Sequence, residues 1–220
     1  ENIFQQKSAE LFLQSIENQK ELQNEPIGNW DYLLTKAEET RSLRPTLYDF
    51  LAHRAIQFFL EQEFHLIIVE DAEIGVEYLD EPSLEDENEL KNKSTQSLKN
   101  GIKLLKDLSA FHLQEYNQDA YLYNQFELLK AETNDTNSDE YLNELTALSK
   151  KYPTAEYNAY ILFEIANFHL TKAANEEPNA FDKKKTATEK TLSLLNEIQT
   201  KYTKSPISIE AEKLQKQILA

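Results

Sequence analysis

Asp49 and His53 stand four residues apart in the stretch RPTLYDFLAHRAIQFF, residues 44–59. On a helix that spacing puts both side chains on one face, where they could pair. A carboxylate beside an imidazole is the arrangement a general base uses. His112 and Glu115 also have helical spacing, but they lack a third ligand to make a metal site. The remaining histidines, His65 and His169, are distant from these pairs in sequence. No H-E-x-x-H zinc motif and no G-x-S-x-G nucleophile elbow occurs. Three glycines cannot supply a phosphate-cradling loop, and the absence of cysteine removes thiolate chemistry, disulfides and Cys-ligated zinc. With 39 Asp and Glu, neighbouring carboxylates arise by chance and indicate nothing. These residues predict no cofactor, no metal and no enzymatic activity.

The element that must carry Asp49 and His53 explains them without chemistry. Pro45 suits the start of a helix, because proline lacks the N–H that would have no intrahelical partner there. Thr46 and Asp49 have the T-x-x-D spacing of a capping pair. Leu47, Phe50, Leu51, Ile56 and Phe58 form a wide apolar face. Asp49 and His53 fall at its polar edge, and Arg54 can reach a neighbouring carbonyl or acid. Pro45, Leu47, Tyr48, Asp49, Phe50, Leu51, His53, Arg54 and Phe58 are therefore expected to make a packing helix. An interface role and an Asp49–His53 catalytic site are the lesser alternatives.

Apolar spacing is helical along most of the chain. Helices are predicted over 2–23, 29–40, 46–63, 94–113, 117–133, 138–151, 154–172, 182–202 and 206–219. The β-branched run LIIVEDAEIGVEYL at 66–79 allows a short extended segment near 65–79. DEPSLEDENE at 80–89 lacks the ligand pattern and central glycine of an EF-hand and predicts a solvated acidic loop over 80–93. Gly101 lies inside a predicted helix, where it costs about 1 kcal/mol relative to Ala unless close packing requires it. Pro45, Pro153 and Pro206 each separate one helical pattern from the next. LTALSKKYP and LNEIQTKYTKSP align Leu145 with Leu195, Leu148 with Ile198, and Lys151-Tyr152 with Lys201-Tyr202. The tetratricopeptide period is about 34 residues, so the longer offset between these copies requires a loop, expected at 173–182. The expected fold class is all-α: an irregular stack of helical hairpins in a tetratricopeptide-like superhelix, forming one domain over 1–220.

The chain is 40% hydrophobic with 11 Phe and 11 Tyr, enough for a core. Its net charge of −16 excludes nucleic acid and an anionic membrane surface as partners. No apolar run is long enough to insert in a bilayer. A first residue of Glu and the lack of methionine predict a piece of a longer protein.

LRPTLYDFLAHRAIQFF, with LFLQSIENQKELQNEPIGNWDYLL at 11–34 before it, resembles the N-terminal helical region of large bacterial alpha-2-macroglobulin-like proteins. From residue 90 onward the likeness is architectural, and the acidic stretch at 80–89 has no counterpart. The resemblance implies a parent endopeptidase inhibitor in the periplasm or cell envelope, of which this chain is a non-catalytic scaffold. Its partners would be downstream domains of the same polypeptide or an envelope protein. The alternative is a free-standing helical-repeat adaptor that binds a peptide or envelope protein in a concave groove.

Overall fold

The computed structural model describes residues 2–34, 38–71, 84–133, 135–177 and 180–220. Its helices are α1 (Asn2–Gln14), α2 (Gln19–Gln23), α3 (Glu38–Arg41), α4 (Leu47–Asp71), α5 (Leu84–Gln114), α6 (Gln118–Glu132), α7 (Asp139–Lys151), α8 (Asn158–Asn175), α9 (Phe181–Lys201) and α10 (Ile207–Leu219). A 3-10 turn covers Ile27–Trp30. Among the described residues there is no β-strand, only an isolated bridge between Pro26 and Thr46. The fold class is all-α, and it divides into two compact units, Glu1–Leu108 and Ser109–Ala220, where one domain is expected from the sequence.

In the first unit, α1 and α2 pack on α4. Phe12 and Phe58 place their rings 4.7 Å apart. The entry to α4 is tied down by backbone hydrogen bonds from Ile27 N–H to the Pro45 carbonyl (2.9 Å) and from Leu47 N–H to the Glu25 carbonyl (2.8 Å). Asp49 closes the predicted capping pair. Its Oδ2 accepts from the Thr46 backbone N–H at 2.9 Å and from the Thr46 hydroxyl at 2.8 Å, while the Asp49 N–H donates to Thr46 Oγ1 at 3.2 Å. Gly101 fits a close approach between helices. A Cβ there would meet Leu60 Cδ2 at 2.8 Å.

Several boundaries differ from those predicted. The first helix breaks at 15–18, so 2–23 becomes α1 and α2. The segment 29–40 is the end of the 3-10 turn and the beginning of α3, with 35–37 outside the described residues. α4 continues through Asp71, so the part of the extended segment at 65–71 is helical, and 72–79 lies outside the described residues. Apolar β-branched residues favour strand only weakly, and a preceding helix can propagate through them. The expected acidic loop is also corrected. Residues 84–93 begin α5, and 80–83 are not described. Glu, Leu and Lys are strong helix formers, so a high acid content does not by itself make a loop.

The second unit consists of stacked hairpins. α6 packs on α7 and α8, and α8 packs on α7, α9 and α10. The 50-residue repeat corresponds to the hairpins α7–α8 and α9–α10. α7 is capped by Ser138, whose Oγ accepts from the Tyr141 N–H at 3.2 Å. Acids in its first turn and Lys150 and Lys151 in its last complement the helix dipole. α8 runs to Asn175, so the loop expected at 173–182 is confined to 176–180, with 178–179 not described. Ala159, Leu162, Ala166, Leu195, Ile198, Tyr202 and Ala211 form one buried cluster, in which the alanines permit close helix approach.

The turn after α5 carries a conformational cost. Tyr116 has φ 57 and is 90% exposed. The Asn117 N–H donates to the His112 carbonyl and the Tyr116 N–H to the Leu113 carbonyl, the two bonds of a Schellman cap. Glycine usually occupies that left-handed position. Tyr116→Gly should therefore raise stability by up to about 1 kcal/mol, read by thermal unfolding of the full chain.

Candidate functional site

The residues singled out from the sequence form a packing surface. Tyr48, Asp49 and His53 are buried, Pro45, Leu47, Phe50, Leu51 and Phe58 are half-buried, and Arg54 is exposed, its guanidinium 5.9 Å from the Phe50 ring centroid. The buried stripe is Tyr48, Ala52, Ala55, Ile56 and Phe59. The apolar face is thus turned about one residue from the one predicted, and Asp49 and His53 lie within the core instead of at its edge. Burial pushes the Tyr48 phenol up to about 12, with the Asp107 and Asp49 carboxylates adding to the shift. Asp49 spends one oxygen on the helix cap, a structural use. His112 is buried, and Glu115 is exposed. Among the described residues, no group of three or more His, Cys, Asp or Glu could hold a metal ion.

A concave surface lies elsewhere, in the second unit. α8 forms the floor and α7 and α9 the walls of a groove with two adjoining parts, of about 440 and 410 Å³, that share His169 and Lys190. In the first part Lys172 Nζ pairs with Asp139 at 2.5 Å and Lys183 Nζ with Glu176 at 3.1 Å, so much of the charge is balanced. In the second part Leu162, Ile165 and Leu194 provide an apolar floor, with Ser149, Lys150, Lys190 and Ser193 above it. Glu197, also in this part, is matched by Lys201 at 2.7 Å.

Asn158 lies at the base of the second part and is 2% exposed. Its Nδ2 donates to the Tyr202 hydroxyl at 2.9 Å, and that hydroxyl donates to the Pro153 carbonyl at 2.7 Å. A phenol has one proton. Since it goes to Pro153, the hydroxyl must accept from Asn158, which fixes the amide orientation. Asn158 Oδ1 then accepts no hydrogen bond among the described residues. A buried acceptor without a donor costs about 1–3 kcal/mol. Tyr202→Phe would strand Asn158 Nδ2 and the Pro153 carbonyl as well. It should cost roughly 1–3 kcal/mol in denaturant unfolding.

Burial lowers the His169 pKa from its ordinary 6.5, and the Lys190 and Lys172 ammonium groups lower it further. The folded state therefore favours the neutral imidazole. Its contribution to stability is fully present above about pH 6.5 and is lost as pH falls through the lowered folded value. Between pH 8 and pH 5, wild type should lose more stability than His169→Gln. Parallel pH profiles would contradict the placement of His169.

Single-sequence reasoning missed Lys150, Lys190 and Asn158. The hairpin repeat indicated which helices would flank a groove, but nothing distinguished these two lysines from the rest of 23 Lys and Arg. Comparison with protein-family models, curated proteins and solved structures finds no match.

Proposed function

We propose that the chain is a non-catalytic helical-hairpin module that binds another protein, and that the α7–α9 groove receives an extended segment of it. The observation that carries this reading is the groove itself: an apolar floor between polar walls. Concave faces of stacked hairpins suit extended peptides, because the walls can contact several successive residues. The resemblance at 11–59 supports a setting for the module. It would be a scaffold of an alpha-2-macroglobulin-like endopeptidase inhibitor in the bacterial envelope, with trapping carried by other parts of that protein. Its partner would then be downstream domains of the same polypeptide, and otherwise an envelope protein. No helix among the described residues is long and apolar enough to cross a membrane.

The test is selection of a random peptide library on the full chain, followed by Ser193→Trp. Ser193 is exposed on the groove wall, so the indole would fill the groove without entering the core. Selected peptides should lose at least tenfold in affinity for Ser193→Trp at unchanged melting temperature. Failure to enrich any peptide, or binding indifferent to Ser193→Trp, would contradict the reading.

A further inference from the structure

The charge in the deeper part of the groove opposes that of the chain as a whole. The protein has 39 acidic and 23 basic side chains. Lys150, on the α7 wall, and Lys190, on the α9 wall, have no ion-pair partner among the described residues. Two ammonium groups therefore border the apolar floor, and Glu197, an acid of the same lining, is already paired with Lys201.

We propose that the groove's ligand is an acidic peptide in extended conformation, alternating carboxylate and apolar side chains. This rests on the reading of the second unit as a peptide-binding module. Carboxylates of the ligand meet Lys150 and Lys190, and an apolar side chain covers Leu162, Ile165 and Leu194. Alternation follows from extended geometry, in which successive side chains point to opposite sides. The overall −16 does not forbid such a ligand. At physiological salt, charges more than about 8 Å away are largely screened, so the local lysines dominate.

The test uses the full chain and three fluorescein-labelled octapeptides, each alternating Leu with Asp or Glu, with Asn or Gln, or with Lys. Fluorescence anisotropy at physiological salt should show the acidic peptide binding at least tenfold tighter than the neutral one, and the basic peptide not at all. The double variant Lys150→Glu, Lys190→Glu should lose that preference by at least tenfold. Both side chains are exposed, so the variant should remain folded, with only the small loss of stability expected from placing an acid in the last turn of α7. Equal binding of acidic and neutral peptides would overturn the acidic ligand while leaving the groove as a peptide site. An acidic preference that survives in the double variant would overturn the assignment to Lys150 and Lys190. Binding of none of the three would overturn both this inference and the peptide-binding reading.

Discussion

Phe59→Ala should destabilise the protein by about 3–5 kcal/mol, the loss typical of a buried phenylalanine. Phe59 is 1% exposed and sits at the end of the stripe begun by Tyr48. Its ring meets that of Phe58 edge-on at 5.4 Å, and its backbone carbonyl accepts from Ser97 Oγ at 2.9 Å. Truncation leaves a cavity where α4 meets α5, and helices fixed by a glycine contact at Gly101 have little freedom to collapse into it. Phe50→Ala should cost only about 1 kcal/mol, because Phe50 is half-buried and its ring carries the exposed Arg54. Asp49→Ala should fall between them at about 2 kcal/mol, since it removes a buried cap with two hydrogen bonds to one carboxylate oxygen. Denaturant unfolding of the full chain orders the three. A larger loss at Phe50 than at Phe59 would mean that the packed face is the one predicted from the sequence.

Leu195→Ala should cost about 2–5 kcal/mol. Leu195 has no exposed surface and belongs to the cluster built from Ala159, Leu162, Ala166, Ile198, Tyr202 and Ala211. Three alanines in that cluster mean that neighbouring backbones are already close, so the cavity cannot be filled by small side-chain shifts. Phe181→Ala is the control. Phe181 is as apolar but 75% exposed, and its loss should stay within about 0.5 kcal/mol. Comparable losses at the two positions would contradict the burial pattern of α9.

The helical class and the α7–α10 hairpins were legible because they rest on the 3.6-residue period and on two similar segments. Pro206 immediately precedes α10, and Pro153 lies in the turn before α8. The Thr46–Asp49 cap was legible for the same local reason. The face of α4 was not. Large residues at 47, 50, 51 and 58 compete with Tyr48, Ala52, Ala55, Ile56 and Phe59 for burial. Tertiary contacts with α1 and α5, including Phe12 on Phe58 and Ser97 on Phe59, decide between them. The acidic beginning of α5 misled because charge density was weighed above helix propensity. The candidate groove was only half visible. Its flanking helices follow from the repeat, but the free acceptor of Asn158 depends on Tyr202, 44 residues away, and no local spacing encodes that link.

The claim that the α7–α9 groove is the docking surface is tested most directly by methyl NMR of the full chain during titration with the acidic octapeptide. The account predicts saturable shifts at the methyl groups of Leu162, Ile165 and Leu194, with Leu104, Leu105 and Leu108 of the first unit unchanged. Shifts confined to the first unit, or none at peptide concentrations that saturate the anisotropy signal, would contradict it.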